Sequence, residues 1–253
     1  MGQAPLLQTE GAVATITLRR PAVANRLALD DLAVLEGHLT AVNADRAVRV
    51  LVLRGEGRHF CSGFDVGQVG AAGPHAATRF EALADAIEAA RPLTLVELQG
   101  GTYGGAVDLA LAADFRVGCA ASEMTIPAAR LGLHFYRGGM ERLVGRIGLP
   151  WARRLLLAAD TLDAATLRGA GLIDRWADAP EAVPAAAEAL VAQLAALAPL
   201  AVQGMKQHLN RIARGTLDGE ALARDLATAA ASDDLQEGAR AWREKRPPRF
   251  TGR

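Results

Sequence analysis

Apolar and polar residues at the start of the chain follow a pattern that predicts a strand, a helix and a second strand. The segment AVATITLRRP alternates as a half-buried strand does, and Pro21 ends it. In LALDDLAVLEGHLTAVNAD the leucines recur on one face of a helix. RVLVLRGEG is continuously apolar at VLVL, which is typical of a strand covered on both faces.

The same order of elements recurs further along the chain. RFEALADAIEAARP predicts a helix that is stopped by Pro92, and LTLVELQGG predicts a strand. GGAVDLALAAD then predicts a helix, and FRVGCAASEMTI predicts a return to strand. Because strands and helices alternate, the expected fold class is α/β.

The second half of the chain is predominantly helical. Alanine-rich helical patterns begin at Trp151, and GEALARDLATAAASDDLQEGARAWREKRPP predicts one last helix. The pattern breaks at APLA near residue 195. We therefore predict an α/β core over residues 1–195 and a helical C-terminal region over residues 196–253.

Composition and charge exclude several classes of function. The chain has 253 residues, 51% of them hydrophobic, which suffices for the core of one domain. Its 28 basic residues balance 28 acidic ones, so no global field attracts nucleic acid or an anionic membrane. Cys61 and Cys119 are too few for a disulfide framework, and we interpret them as buried, inert thiols.

Targeting signals are not evident in the sequence. MGQAPLLQTE lacks a basic segment followed by an apolar one, and no run approaches 18 uninterrupted apolar residues. We expect a cytoplasmic protein with no nucleic-acid or membrane partner.

Two glycine-rich loops carry the candidate chemistry. EGRHFCSGFDVGQV directly follows one predicted strand, and QGGTYGGAVDLAL follows another and leads into a helix. Such loops leave backbone N–H groups free to point at a ligand, and a helix N-terminus adds its own donors and positive dipole end. Two of them together have the composition of an oxyanion hole.

Other interpretations of these loops fail on detail. Neither ends in the G-K-[ST] of a phosphate-binding loop, and GGTYGG does not fit the dinucleotide fingerprint G-x-G-x-x-G. A nucleophile elbow needs glycine two residues before Ser62, where Phe60 stands. The glycine pattern alone leaves a tight structural turn and a functional loop equally open.

The order and spacing of several motifs resemble the enoyl-CoA hydratase/isomerase (crotonase) family over nearly the whole chain. RRPAVANRLALDDL resembles its first acyl-CoA loop, and TLDAATLRGAGLIDRW resembles its usual helix–turn segment. The other motifs that carry the resemblance are HFCSGFDV, GGTYGGAVDLALAAD, PAARLGLHFYRGGMERLVGRIG and EKRPPRF. This family hosts hydration, isomerisation, decarboxylation, dehalogenation, hydrolysis and carbon–carbon cleavage, so the resemblance does not fix the reaction.

The resemblance implies a fold, an assembly and a substrate. The fold is a crotonase-like spiral of repeated ββα units, whose helical C-terminal region takes part in trimerisation and covers the active site. The assembly is a homotrimer or a dimer of trimers. The substrate is an acyl-CoA thioester whose carbonyl lies between the N–H groups of Phe64 and Gly105, and no metal or separate cofactor is implied. Phe64 stands where alanine is commoner in the family, so its ring is expected to reshape the acyl pocket.

The residues that would move protons depart from the hydratase pattern. Hydratases of this family use two glutamates; Asp108 stands at the first position, one methylene shorter, and Ala128 stands at the second. Alanine cannot exchange a proton, so the resemblance leaves Asp108 as the remaining acid or base. A carboxylate near a helix start is also stabilised by the dipole without reacting, and that interpretation stays open.

Four nearby side chains could substitute for the missing carboxylate. The loop LGLHFYRGGMER offers His134, the best general acid or base by intrinsic pKa, and Tyr136, which could donate a hydrogen bond to a leaving group or carboxylate. Arg137 could hold an acyl-chain carboxylate, and Glu141 is a further candidate. The sequence does not rank them, and each also has a purely structural interpretation.

The remaining candidate residues bind the substrate by family resemblance. Asp65 is equally interpreted as a turn stabiliser, and Arg26 and the cluster REKRPPRF either meet the coenzyme A phosphates or are simply solvated. Phe250 is a candidate to pack against the adenine bound to a neighbouring subunit. The predicted substrate-binding residues are Ala24, Arg26, Ser62, Gly63, Asp65, Val66, Tyr103, Gly104, Ala128, Leu131 and Phe250.

The hypotheses on function come from different classes. The first is an acyl-CoA enzyme with hydratase- or isomerase-like activity. Its alternatives are a decarboxylase or hydrolase that uses the loop from His134 to Glu141, and a catalytically silent protein that binds acyl-CoA.

Overall fold

The computed structural model describes residues 2–65, 67 and 74–253. Strands alternate with helices in the first half of these residues, and helices dominate the second. The strands are β1 (Gln3–Glu10), β2 (Val13–Arg19), β3 (Val50–Gly55), β4 (Leu93–Leu98), β5 (Gly101–Tyr103), β6 (Phe115–Gly118), β7 (Glu123–Thr125), β8 (Thr161–Leu162) and β9 (Arg175–Trp176). The helices are α1 (Leu29–Ala44), α2 (Pro74–Glu88), α3 (Gly105–Ala112), α4 (Arg137–Leu156), α5 (Ala164–Gly169), α6 (Val183–Ala195), α7 (Pro199–Ala213), α8 (Gly219–Ala230) and α9 (Asp233–Glu244).

The strands form two sheets that the chain visits in turn. The larger sheet has the order β1-β2-β3-β4-β6-β9, and its strands are parallel except for β1, which pairs antiparallel with β2. The smaller sheet has the order β5-β7-β8. The chain passes from β4 to β5, enters α3, and then repeats the step from β6 to β7. This arrangement confirms the α/β class and the repeated unit that the resemblance implied.

Hydrophobic clusters cover both faces of the larger sheet. Leu51 and Leu53 belong to a cluster shared with α1, α2 and α3. Val50 and Val52 point the other way and belong to a cluster shared with α6. Successive side chains of a strand lie on opposite faces, so the VLVL run is apolar because both of its faces are buried. This confirms the prediction made from that run.

One strand was missed and two predicted elements needed correction. The strand β1 was not predicted, and FRVGCAASEMTI is two strands, β6 and β7, which lie in different sheets. The last predicted helix is also two, because Ser232 ends the pattern between α8 and α9. Its hydroxyl accepts a hydrogen bond from the Leu235 N–H at 3.2 Å, so the serine acts as the N-cap of a new helix.

A buried lysine joins the helical C-terminal region to the strands. Lys206 of α7 donates to the Pro92 carbonyl oxygen at 2.8 Å and pairs with Asp114 at 2.8 Å. The Asp114 carboxylate also accepts from the Thr94 N–H and hydroxyl, at 2.7 and 2.9 Å. The helix break between α6 and α7 lies near residue 195, but the predicted division into two regions stays a prediction.

The described helices were also assessed for length and apolarity against the thickness of a bilayer. No single one is long and apolar enough to cross a membrane. One pair of helical segments, Pro180–Ala195 and Pro199–Ala213, is long and apolar enough for a membrane span when the two are counted together, by length and composition only. The chain bends by 107° between them.

Glu97 is a carboxylate buried within the larger sheet. It lies on β4, is 7% exposed, and shares the strand face of Leu93 and Leu95. Burial raises its pKa from 4.5 to about 6, an effect that Arg54 opposes and Glu188 reinforces. Folding therefore favours the protonated side chain.

We expect Glu97→Gln to stabilise the chain at neutral pH and to change little in acid. The stability contributed by the raised pKa is fully present below 4.5 and is lost as the pH rises through about 6. The difference between these pKa values corresponds to about 2 kcal/mol in the free energy of unfolding. Urea unfolding across this range measures the effect, with exposed Glu181→Gln as the control. A pH profile for Glu97→Gln that matches the wild type would contradict it.

Candidate functional site

The first glycine-rich loop follows β3 and is held by one buried amide. The Asn25 Nδ2 group donates to the carbonyl oxygens of Glu56, His59 and Phe60 at 2.9, 3.0 and 3.1 Å. Ala24 and Asn25 both have left-handed backbone conformations, with φ of 50° and 54°. Two adjacent non-glycine residues in this region are costly, so the surrounding bonds hold this turn in place.

Backbone pairing around Phe64 leaves its N–H group pointing away from the neighbouring segment. The Leu27 N–H donates to the Gly63 carbonyl oxygen, and the Asp65 N–H donates to the Leu27 carbonyl oxygen, both at 2.9 Å. These two bonds engage the residues on either side of Phe64. Within the described part of the chain, the Phe64 N–H has no acceptor on the protein.

The second glycine-rich loop joins β5 to α3. Gly104 has φ of 58°, donates its N–H to the Thr125 carbonyl oxygen at 2.8 Å, and is the N-cap of α3. Gly105 is the first residue of the helix, where N–H groups have no intrahelical acceptor and the dipole is positive.

The two loops touch at Gly63. A Cβ atom on Gly63 would lie 3.0 Å from the Gly105 nitrogen and 2.8 Å from the Tyr103 oxygen, and Gly63 has φ of +84°. A side chain at this position is therefore excluded both by conformation and by space. The structure thus brings the Phe64 and Gly105 segments together, as the sequence predicted.

Aromatic rings border this junction. The Phe80 ring lies over Gly105, since a Cβ atom there would be 2.6 Å from Phe80 Cε1. Phe80 contacts Phe64 edge-on at 6.2 Å between ring centroids and lies 6.3 Å from Tyr136. Phe135 stacks on Tyr136 at 4.6 Å. Phe64 therefore belongs to an apolar wall, and the expectation that its ring reshapes an acyl pocket stays a prediction.

Asp108 is fully buried one turn inside α3, and its carboxylate is held by three donors. Arg142 of α4 grips both oxygens, through Nε to Oδ1 and Nη2 to Oδ2, each at 2.8 Å. The Tyr136 hydroxyl donates to Oδ2, also at 2.8 Å. Hydrogen bonds between an arginine fork and both oxygens of a carboxylate are among the strongest in proteins, so the position of the Asp108 side chain is fixed.

Arg142 is the centre of an ionic network. Its side chain is 1% exposed and also donates to Asp85 at 2.6 Å and to Glu88 at 3.4 Å. Arg214, which follows α7, pairs with the same two carboxylates. Burial alone would lower the pKa of Arg142, but its bonds to Asp108 and Asp85 and the charge of Glu88 raise that pKa above its usual value.

Tyr136 stays protonated in this environment. Burial raises its pKa well above the usual value of 10, and the charge of Asp108 and the hydrogen bond to it add to the effect. The predicted residues Asp108 and Tyr136 therefore lie together, with the phenol between the carboxylate and the aromatic wall.

The other candidates in the same loop lie outside this cluster. His134 is exposed, and its Nδ1 atom lies 2.6 Å from the Phe135 carbonyl oxygen. Arg137 pairs with Glu141 on the exposed side of α4 at 2.7 Å. Neither Arg137 nor Glu141 contacts Asp108 in the described residues, and their predicted roles stay predictions.

The segment that would carry the second carboxylate is a short 3-10 turn, Ala128–Leu131. Ala128 packs partly buried against the larger core cluster, whereas Leu131 is 51% exposed. The segment reads AARL, so it carries no carboxylate, and its one charged residue, Arg130, donates to the Ala159 carbonyl oxygen.

The predicted substrate-binding residues of the first loop form hydrogen bonds and an ion pair with one another. The Ser62 N–H donates to the Ala24 carbonyl oxygen at 2.8 Å. Asp65 accepts from the Gly67 N–H at 3.1 Å and lies 3.6 Å from Arg26, so it does stabilise the turn. Val66 lies outside the described residues.

Two further candidates point elsewhere in this chain. The Tyr103 hydroxyl donates to Glu123 at 2.6 Å, and burial together with that carboxylate raises the pKa of Tyr103 to about 12. The Phe250 carbonyl oxygen accepts from Arg49, which precedes β3 and so lies at the sheet edge opposite the glycine-rich loops. Within one chain Phe250 does not join the site, and its predicted contact with a neighbouring subunit's adenine stays a prediction.

The buried thiols agree with the interpretation made from the sequence. Cys61 and Cys119 are both buried and free, and burial raises the pKa of Cys61 to about 12. Within the described residues, no group of three His, Cys, Asp or Glu side chains is placed to hold a metal ion.

Arg142, Asn25 and Phe80 are site residues that the sequence analysis missed. Arg142 follows Gly138 by four residues and precedes Leu143, so helical spacing placed it on the buried face of α4. An arginine among the charged residues of a helix is nevertheless typical of a solvated surface. The carboxylates that hold it inside belong to α2 and α3, which are distant in sequence.

Comparison with known proteins agrees with this geometry. A sequence model described as "Enoyl-CoA hydratase/isomerase" matches residues 8–253. The chain is 28% identical to the crotonyl-CoA hydratase of Syntrophomonas wolfei, over 97% of this chain and 96% of that protein. It is 30% identical to the 2,3-dehydroadipyl-CoA hydratase of Escherichia coli, over 98% of each.

Solved structures give the same result. The crystal structure of an enoyl-CoA hydratase/isomerase family protein from Hyphomonas neptunium superposes with a TM-score of 0.91 at 27% identity, covering 99% of this chain and 98% of that one. The family match spans nearly all of the chain, and the structural match extends over the whole fold. This chain belongs to the enoyl-CoA hydratase/isomerase family.

Proposed function

We propose that this chain binds an acyl-CoA thioester and stabilises the enolate of its acyl group between the N–H groups of Phe64 and Gly105. The proposal is supported by the contact of the two loops at Gly63 and by the N–H groups of Phe64 and Gly105, which have no acceptor among the described residues. Fixed donors at a helix N-terminus stabilise a developing oxyanion without having to reorganise. No cofactor is required beyond the coenzyme A that the substrate carries.

The reaction that we propose is hydratase- or isomerase-like turnover of an enoyl-CoA. The relatives described above carry hydratase names, and the Tyr136–Asp108 pair lies beside the aromatic wall that borders the two donors. Asp108 is enclosed by Arg142 and Tyr136. We therefore propose that the role of Asp108 is to hold the Tyr136 hydroxyl group in place. The Tyr136 oxygen then holds the water that adds its hydroxyl to C3 and a proton to C2.

A second candidate function is acyl-CoA binding without catalysis. Two observations favour it: position 128 is alanine, and the carboxylate of Asp108 is committed to Arg142. A site with no free carboxylate would still present its two N–H donors to a thioester carbonyl.

A panel of CoA thioesters distinguishes these functions. We expect measurable hydration or isomerisation of crotonyl-CoA, and we expect Tyr136→Phe to lower kcat by about 100-fold because the acceptor that positions the attacking water is lost. Calorimetric binding of the same esters is the control, and it should persist in Tyr136→Phe. Binding without turnover of any ester would favour the silent protein, and turnover of a malonyl-type ester alone would favour the decarboxylase.

Self-association is a further part of the proposal. On α7 the apolar side chains of Met205, Leu209 and Ile212 share one face and are more than half exposed, whereas Lys206 and His208 are buried. An apolar face of this kind on a helix favours burial against another copy of the chain. We propose a homotrimer or a dimer of trimers, and light scattering that gives a monomer would contradict it.

A further inference from the structure

The hydrogen-bond donors around Asp108 can be counted. An arginine guanidinium only donates, and a phenol has one proton to donate and lone pairs that accept. Arg142 gives two N–H groups to the carboxylate, and Tyr136 gives its single proton to the same carboxylate. The proton of Tyr136 is therefore committed to Asp108.

This commitment is fixed by the charge of Arg142. The guanidinium is 1% exposed and is itself held by Asp85 and Glu88, which Arg214 also pairs with. An arginine stays charged at any working pH, and its Nε and Nη2 groups hold both oxygens of Asp108. The guanidinium has no acceptor of its own, so the phenol proton is directed at the Asp108 oxygen.

We propose that Arg142 is a positioning residue which, through Asp108, makes Tyr136 a hydrogen-bond acceptor toward the acyl group. The proposal rests on the proposed function, because it needs an acyl-CoA in the site. An acyl chain or water that carries a hydrogen-bond donor finds a partner in the Tyr136 oxygen. An acyl chain that ends in a carboxylate finds only lone pairs and the nearby charge of Asp108, so the site selects against it.

The surroundings of Tyr136 support this selection. Glu81 of α2 lies close enough to raise the pKa of Tyr136 further, and it accepts from the Gly138 N–H at 2.6 Å. The neighbouring side chains Phe80 and Phe135 are apolar rings. Among these neighbours, the cation is Arg142, and its Nε and Nη2 groups face Asp108. A substrate carboxylate would thus meet no donor from them.

The test measures dissociation constants for three CoA thioesters with four-carbon acyl groups, by calorimetry without turnover. 4-Hydroxybutyryl-CoA offers a donor, butyryl-CoA offers neither donor nor charge, and succinyl-CoA offers a carboxylate; none of the three is a substrate or product of the proposed hydration. We expect the wild type to bind the hydroxy ester roughly three- to tenfold more tightly than butyryl-CoA, as one net hydrogen bond allows. Succinyl-CoA should bind more weakly than butyryl-CoA.

Three variants separate the role of each residue. Tyr136→Phe keeps the ring and should bring the ratio of the dissociation constants of butyryl-CoA and the hydroxy ester close to one. Arg142→Lys keeps the charge and should keep the order of the three esters. Arg142→Gln removes the cation that holds Asp108, so discrimination against succinyl-CoA should shrink. If Arg142→Gln does not fold, the wild-type order and its loss in Tyr136→Phe still decide the proposal.

The outcomes distinguish this inference from the proposed function. If no CoA thioester binds, the proposed function itself is wrong. If all three bind with equal affinity, if succinyl-CoA binds most tightly, or if Tyr136→Phe keeps the full preference, the inference is wrong while acyl-CoA binding stands.

Discussion

Replacing Arg142 with methionine is expected to lower the free energy of unfolding by about 3 to 5 kcal/mol, the cost of leaving one partner of a buried ion pair alone. Asp108 is fully buried, and it would keep a single donor, Tyr136. Methionine fills much of the same volume, so the loss reports the unpaired carboxylate and not a cavity. Urea unfolding of both proteins measures the difference.

A double variant is the control for this prediction. In Asp108→Asn/Arg142→Met neither charge remains, and replacing both members of a buried pair often costs little. We therefore expect the double variant to be more stable than Arg142→Met alone, with a coupling energy of the order of 1 to 3 kcal/mol. A single variant as stable as the wild type would show that the fork does not stabilise the fold.

Gly105→Pro is expected to lower kcat by about 100- to 1000-fold, because it removes one of the two proposed donors to the thioester oxygen. Gly105 is the first residue of α3, which is the position where helices accept proline most readily, since its N–H bonds to nothing in the helix. Glycine at position 104 also limits the conflict that proline imposes on the preceding residue. The helix itself should therefore survive.

Gly105→Ala is the matched control for Gly105→Pro. Both variants place a Cβ atom against the Phe80 ring, but only alanine keeps the N–H group. The kcat of Gly105→Ala for crotonyl-CoA should therefore exceed that of Gly105→Pro by most of the expected loss of about 100- to 1000-fold. Equal losses in both would assign the effect to the displaced Phe80 ring and would remove the Gly105 N–H from the mechanism.

The two glycine-rich loops were readable from the sequence because each of them is local. A strand that stops in a glycine-rich turn, with a helix directly after it, fixes where the first N–H groups of that helix lie. The choice of Phe64 and Gly105 within these loops came from the resemblance to the family, and their role stays a proposal. The two motifs meet at Gly63 because they follow β3 and β4, which are parallel neighbours in the larger sheet. A strand–helix–strand order favours this parallel pairing.

The state of Asp108 could not be read in this way. Its two partners, Tyr136 and Arg142, lie 28 and 34 residues further along the chain. Helical spacing places Arg142 on the same face of α4 as Gly138, but an arginine on a helix usually lies in solvent, so the spacing alone does not predict a buried charge. His134 has a better intrinsic pKa for catalysis, yet it lies exposed.

By itself the sequence determined the α/β class, most of the helices and strands, the two glycine-rich loops and the resemblance to the family. Hydrophobic periodicity and turn chemistry act over a few residues, so they can be read directly from the order of amino acids. Only the tertiary structure decided that Asp108 is gripped by Arg142 and directs the proton of Tyr136. A buried charge is tolerated only where distant residues converge to pair with it, and that convergence is a property of the packed fold.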